Sequence, residues 1–134
     1  MYIIHKNSKV AYEQAGKGEN LVLLHGFCED STLWANFTPV LSKKYHIITI
    51  DLSGFGKSGL LEEQSIDAMA EAVYAVLCYL SIKCCVMIGH SMGGYVGLCF
   101  AENHPELLSG LGLFHSHPFP DSEQKKADRK RVSE

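Results

Sequence analysis

The chain has 134 residues, of which 46% are apolar and 20% charged, and its net charge at pH 7 is −3. That length holds one domain, and the composition is typical of a globular protein. The weak charge excludes a nucleic-acid binder or a protein bound to an anionic membrane surface. Five cysteines without a Cys-x-x-Cys pair, no signal-like start and no long apolar run predict a cytoplasmic protein outside the membrane.

Six segments carry the apolar patterns that predict β-strands. They are residues 2–6, 9–13, 21–24, 46–50, 83–88 and 108–114. The first two flank a turn at Asn7-Ser8 and predict an antiparallel hairpin. The runs at 21–24 and 46–50 are continuously apolar, which indicates strands that are buried on both faces.

Three segments between these strands predict helices. Ser31 or Thr32 is expected to cap the first, and Pro39 is expected to break or kink it. Ser65 caps the second, whose apolar residues recur at helical spacing, and the third covers residues 92–103. Because strands and helices alternate, we predict an α/β fold: a mostly parallel sheet with an N-terminal antiparallel hairpin and helices on both faces.

The composition changes at residue 121. Nine of the 14 residues from there to the end are charged, and both signs are interleaved. We therefore divide the chain into a core over residues 1–120 and a charged helix or linker over residues 121–134.

The segment from Gly89 to Gly93 has the pattern Gly-x-Ser-x-Gly and lies between a predicted strand and a predicted helix. A serine on such a turn, here Ser91, is held clear of the sheet, and the glycines leave room where strand and helix cross. The first N–H groups of the helix, beginning with that of Met92, face an oxygen bound at the turn. The alternative is a glycine-rich turn whose serine only caps the helix.

A second loop is expected at the same edge of the sheet. His25, Gly26 and Phe27 follow the strand at 21–24, and from there the backbone N–H of Phe27 can point toward Ser91. With the N–H of Met92 it would form an oxyanion hole, in which one donor contributes about 10²–10³ in rate. We expect His25 to hold this loop by hydrogen bonds rather than to act as a base.

Three segments together resemble the α/β-hydrolase fold family, in its serine esterase, carboxylesterase and C–C hydrolase branches. They are His25-Gly26-Phe27, residues 51–58 and Gly89-His90-Ser91-Met92-Gly93-Gly94. The resemblance covers residues 1–120 and implies that Ser91 is the nucleophile, with Phe27 and Met92 as oxyanion donors. We also expect five residues to support the serine turn and the adjacent loop: His25, Gly26, Gly89, His90 and Gly93. The serine at position 91 argues against the dehalogenase and epoxide-hydrolase branches, which carry an aspartate there.

Other candidate sites are less well supported by the sequence. The glycine spacing from Gly54 to Gly59 matches a dinucleotide fingerprint, but no helix opens directly on these glycines. We expect Asp51 to bind the backbone of this loop. His115 and His117, at the end of the last strand, are expected to line a pocket beside Ser91; as a metal pair they lack further ligands. We predict neither a metal nor an organic cofactor.

A serine nucleophile needs a histidine base, and the base needs an acid. In the family that the chain resembles, both follow the serine, on loops after later strands. This chain has about six of the expected eight strands. His104 lies about 18 Å along the helix from Ser91, too far to be the base. His117 with Asp121 would be only a makeshift pair of base and acid. We therefore expect the acid and the histidine to come from a missing C-terminal half, with residues 121–134 leading into its lid or cap.

The sequence thus predicts a serine hydrolase that cleaves a carboxylic ester or a related acyl bond of a small molecule through an acyl-enzyme on Ser91. The alternative is a truncated or degenerate, non-catalytic hydrolase fragment that binds a ligand or partner without turnover. Because residues 111–114 would be an unpaired apolar edge, we expect this chain to pair with its missing half or with a second copy. Neither nucleic acid nor a membrane is an expected partner.

Overall fold

The computed structural model describes residues 1–132 and contains one six-stranded sheet. The strands are β1 (Tyr2–His5), β2 (Ser8–Ala15), β3 (Glu19–Leu24), β4 (Tyr45–Ile50), β5 (Cys85–His90) and β6 (Leu108–Phe114). Their order across the sheet is β1-β2-β4-β3-β5-β6. β1 pairs antiparallel with β2 and β2 with β4, whereas the other neighbours are parallel. The predicted parallel sheet with its N-terminal antiparallel hairpin is confirmed.

Helices cover both faces of this sheet. A 3₁₀ helix (Ser31–Trp34) and α1 (Thr38–Leu41) follow β3; the later helices are α2 (Ile66–Tyr79), α3 (Met92–Asn103), a 3₁₀ turn (Pro105–Leu107) and α4 (Glu123–Val132). α4 lies in the charged segment predicted at 121–134, whose last two residues are outside the described range. Over residues 1–132, no helix combines the length and the apolar character needed to cross a bilayer.

The alternating side chains of β3 contribute to two apolar clusters. Val22 and Leu24 pack in the cluster formed with α2 and α3, and Leu21 and Leu23 pack in a smaller one with Trp34. These four β3 residues are at most 7% exposed, which explains why their sequence is an unbroken apolar run. β3 therefore lies in the middle of the sheet, and its carboxyl end carries the loop that begins at His25.

Several predicted boundaries in the first half of the chain are wrong. β3 begins two residues earlier than predicted, and β4 begins one residue earlier. The hairpin turn is centred on Lys6 and Asn7, with φ of 45° and 61°, as in a type I′ turn, in which both central residues have a positive φ. β2 runs on to Ala15 because its second half pairs with β4. These pairs depend on strand order, which the local pattern does not contain.

The helix predicted from Ser31 is two short helices. The N-cap of the first is Asp30, one residue before the predicted caps, and its carboxylate accepts the N–H of Thr32 at 2.8 Å. Pro39 lies in the first turn of the second helix. The predicted cap of α2 is confirmed, since Ser65 accepts the N–H of Ala68.

β5 begins two residues later than predicted and extends to His90. The end of α2 accounts for the shift, because the N–H of Ile82 donates to the carbonyl of Leu77 at 2.9 Å and Ser81 has a φ of 57°. The intervening residues form this helix end before the chain extends.

Candidate active site

Ser91 lies at the turn between β5 and α3 in a strained backbone conformation. Its φ of 49° and ψ of −112° are values that residues other than glycine rarely adopt. The segment after β6 holds this turn, because the Ser91 N–H donates to the Phe114 carbonyl at 3.0 Å and Ser116 Oγ donates to the Ser91 carbonyl at 2.8 Å. Ser91 is half-buried, and its hydroxyl makes no hydrogen bond with any residue in the range 1–132.

The glycines on either side of Ser91 occupy crowded positions. A Cβ at Gly89 would overlap the main-chain carbonyl of Gly93, and a Cβ at Gly93 would lie 2.6 Å from the carbonyl oxygen of His25. Both neighbours are backbone atoms, which cannot rotate away as a side chain can. The turn therefore packs directly against the carboxyl end of β3.

The loop after β3 lies next to Ser91. A Cβ placed on Gly26 would be 3.2 Å from Ser91 Cβ. In the described part of the chain, the backbone N–H groups of Phe27 and Met92 donate no hydrogen bond. Met92 is also the first residue of α3, the end of a helix that favours negative charge. Within the described residues, two N–H groups without an acceptor thus lie in the two chain segments predicted from the sequence.

The buried ring of His25 fixes the peptide that carries the Phe27 N–H. His25 Nε2 accepts the N–H of Leu52 at 2.8 Å, and Nδ1 lies 2.7 Å from the Gly26 carbonyl oxygen. Because Nε2 accepts, the proton is assigned to Nδ1, which donates to that carbonyl. The Gly26 carbonyl and the Phe27 N–H belong to one planar peptide, so the histidine sets the direction of the N–H.

We expect this arrangement to make the free energy of unfolding depend on pH. Burial lowers the pKa of His25 below its ordinary value of 6.5, although the Gly26 carbonyl and nearby carboxylates oppose the shift. The unfolded chain therefore binds the proton more readily, and stability should be complete above pH 6.5 and fall as the pH drops below it. Urea unfolding of wild type and His25→Gln between pH 7.5 and about 5 measures this difference.

The difference in free energy of unfolding between wild type and His25→Gln should become smaller as the pH falls. His5, whose pKa burial also lowers, contributes to the pH dependence of both, and His5→Gln separates its share. Parallel pH profiles of wild type and His25→Gln would show that the imidazole of His25 does not titrate in the folded protein as inferred.

Glu29 joins the two loops and was not singled out by the sequence. Its Oε2 accepts the Gly26 N–H at 2.8 Å and lies 2.8 Å from His90 Nδ1. Glu29 and His90 are 61 residues apart in the chain. A loop carboxylate with no periodicity or motif around it gives no local signal, and its partner is defined only when β3 and β5 lie side by side.

Asp51 binds backbone, as the sequence predicts. Its carboxylate accepts the N–H of Ser31 and the N–H of Lys57, each at 2.8 Å, and the residue is 3% exposed. The two bonds join the loop after β4 to the start of the 3₁₀ helix. They use one oxygen each and hold the glycine-containing loop in place.

The two histidines predicted to line a pocket lie in different places. His115 is exposed, and its ring packs edge-to-face on that of His90, with centroids 5.9 Å apart. His117 packs edge-to-face on Tyr95 of α3, with centroids also 5.9 Å apart. Asp121, the proposed partner of His117, accepts a hydrogen bond from the Tyr95 hydroxyl at 3.2 Å. His115 thus packs on the residue before Ser91, and His117 packs on the start of α3.

His104 lies at the other end of α3 from Ser91, as expected. Its ring stacks on Tyr74 with centroids 3.7 Å apart, and its Nε2 is 2.7 Å from the carboxylate of Glu71. These contacts tie α3 to α2, which gives His104 a structural role.

Comparisons with known proteins identify a family and several hydrolases that this chain resembles. A family profile described as the alpha/beta hydrolase fold matches residues 19–130. The chain is 38% identical over 111 residues to a pimeloyl-[acyl-carrier protein] methyl ester esterase of Aeromonas hydrophila, covering 81% of this chain and 42% of that protein. It is 34% identical over 125 residues to a 2-hydroxy-6-oxo-6-phenylhexa-2,4-dienoate hydrolase of Comamonas testosteroni, with coverages of 83% and 44%.

Solved structures of hydrolases also resemble this chain. A thermophilic esterase from Thermogutta terrifontis superposes with a TM-score of 0.88 at 34% identity, covering 94% of this chain and 47% of that one. The chain therefore spans less than half the length of these relatives.

Proposed function

Because the chain belongs to the alpha/beta hydrolase fold family, we propose that it is the N-terminal part of a serine hydrolase that cleaves a carboxylic ester or a related acyl bond. The observation that carries this proposal is the strained turn at Ser91, with φ of 49° between a strand and a helix. Among residues 1–132, the N–H groups of Phe27 in the adjacent loop and of Met92 in this turn have no acceptor, which supports the proposal. The esterases and hydrolases among the relatives support the same reaction class.

The proposed reaction proceeds through an acyl-enzyme. Ser91 Oγ attacks the acyl carbonyl while a histidine takes its proton, and the N–H groups of Phe27 and Met92 stabilise the oxyanion. The tetrahedral intermediate then breaks its bond to the alcohol oxygen, which receives that proton. Water, deprotonated by the same histidine, attacks the ester of Ser91. The bond between Ser91 Oγ and the acyl carbon then breaks, Oγ takes the proton back from the histidine, and the acid is released.

We propose that the histidine and its acid come from a C-terminal half corresponding to the part of the relatives that this chain does not span. Two features of the sheet favour β6 as its docking edge. β6 is the last strand in the sheet order, and Val86 and Ile88 on the neighbouring strand β5 are only half-buried beside the Trp34 cluster. A second copy of the chain is the alternative occupant of this edge.

Covalent labelling tests the proposed nucleophile. We expect a fluorophosphonate to modify Ser91, identified by peptide mass, and Ser91→Ala to reduce labelling by about 10²-fold or more. An oxyanion hole and binding alone leave about 10³–10⁴ of catalysis over water when a triad is incomplete, which makes the reaction measurable.

Ser109→Ala is the matched control, since Ser109 is an exposed serine near the start of β6 whose hydroxyl bonds the Cys85 carbonyl. It should label like wild type. Equal labelling of wild type and Ser91→Ala would contradict the proposal, because another residue would then react. No labelling of the full-length protein would favour a fragment that binds without turnover.

A further inference from the structure

Glu29 connects the two loops that carry the proposed oxyanion donors. We infer that Glu29 is a positioning residue for this site: its carboxylate holds the loop of Phe27 against the serine turn, so that the Phe27 N–H stays aligned with that of Met92. This inference rests on the proposed function. Glu29 makes its bonds to Gly26 and His90 and acts on the reaction through them.

One carboxylate oxygen makes both contacts. Oε2 of Glu29 lies 2.8 Å from the Gly26 nitrogen and 2.8 Å from His90 Nδ1. A Cβ on Gly26 would lie 2.7 Å from the same oxygen and 3.0 Å from the same ring nitrogen. Only glycine therefore allows the three groups to converge, and residue 26 is next to the residue whose N–H serves as donor.

The partners of this oxygen are themselves held in place. The His90 ring packs on Phe114 with centroids 5.6 Å apart, and the Gly26 carbonyl is bonded by His25. Glu29 thus holds the N–H side of Gly26 while His25 holds its carbonyl side. With both sides held, the peptide leading to Phe27 has little freedom to rotate.

The environment of the contact makes it stronger than a surface pair. The side chains of His90 and Glu29 are 19% and 32% exposed, and hydrogen bonds to a carboxylate are stronger than neutral ones. Removing the carboxylate would leave the Gly26 N–H without its partner in a partly buried place. The expected consequence is a mobile donor loop in an otherwise intact fold.

The test measures the two components of fluorophosphonate labelling, kinact and KI, in the 134-residue chain. Glu29→Ala should lower kinact about tenfold or more with KI within about twofold, because displacement of a donor affects the transition state more than binding. Glu29→Gln should recover part of the loss, since its amide oxygen can still accept the Gly26 N–H. Glu19→Gln, at the exposed opposite end of β3, is the matched control and should equal wild type.

Amide hydrogen exchange at Gly26 provides a readout that does not need activity. We expect exchange to be about tenfold faster in Glu29→Ala than in wild type. Unchanged exchange would overturn the inference whatever the labelling shows. If Ser91 labels normally while Glu29→Ala leaves kinact unchanged, or changes KI alone, the inference fails and the proposed function stands; if Ser91 is not the labelled residue, the proposed function fails.

Discussion

Joining the chain to the C-terminal half of a related esterase is expected to raise the rate of Ser91 acylation by about 10³-fold or more. A serine hydroxyl is a weak nucleophile until a histidine takes its proton, and loss of a whole triad costs about 10⁶ in rate in a well-studied protease. The Thermogutta terrifontis esterase is a suitable donor, because this chain superposes on 47% of it with a TM-score of 0.88. Its remaining part would follow residue 120 in the fusion.

The measurement compares fluorophosphonate labelling and hydrolysis of a short-chain ester by the chain alone, by the fusion, and by the fusion with Ser91→Ala. The last should return to background. A folded, monomeric fusion that labels no faster than the chain alone would contradict the proposal. So would ester hydrolysis at ordinary enzyme rates by the 134-residue chain alone, since the base would then lie within it.

Gly89→Ala is expected to lower the free energy of unfolding by about 3 kcal/mol or more. The new methyl group would overlap the carbonyl of Gly93 in the first turn of α3. Because this neighbour is backbone, relief requires the strand and the helix to separate. The same separation would move Ser91, so labelling should fall together with stability.

Gly110→Ala is the matched control for this prediction, since it places the same methyl group on the neighbouring strand β6. There the added Cβ would lie 3.7 and 3.8 Å from the two methyl groups of Val86, an ordinary contact. We expect its effect to stay within about 1 kcal/mol. Urea unfolding of wild type, Gly89→Ala and Gly110→Ala measures both changes in the free energy of unfolding. Equal stabilities of the two variants would show that the backbone does not pack tightly around Gly89.

Local sequence was sufficient for the fold class and for the position of the proposed nucleophile. The unbroken apolar run from Leu21 to Leu24 predicts a strand buried on both faces, and the serine at position 65 predicts the start of α2, because both signals lie within a few residues. The glycine pattern around Ser91 is also a local signal. Gly89 leaves room for backbone atoms of the same turn, and Gly93 leaves room for the backbone at the end of β3.

Tertiary structure alone decided which groups meet at that turn. The bond from Glu29 to His90, the one from Ser91 to the Phe114 carbonyl and the extension of β2 to Ala15 each join segments that are distant in the chain. Such contacts depend on the order and register of the strands, which no stretch of a dozen residues specifies. The packing of the whole sheet selects one strand order and one register. Only in that arrangement does the carboxylate of one loop lie next to its hydrogen-bond partner in another loop.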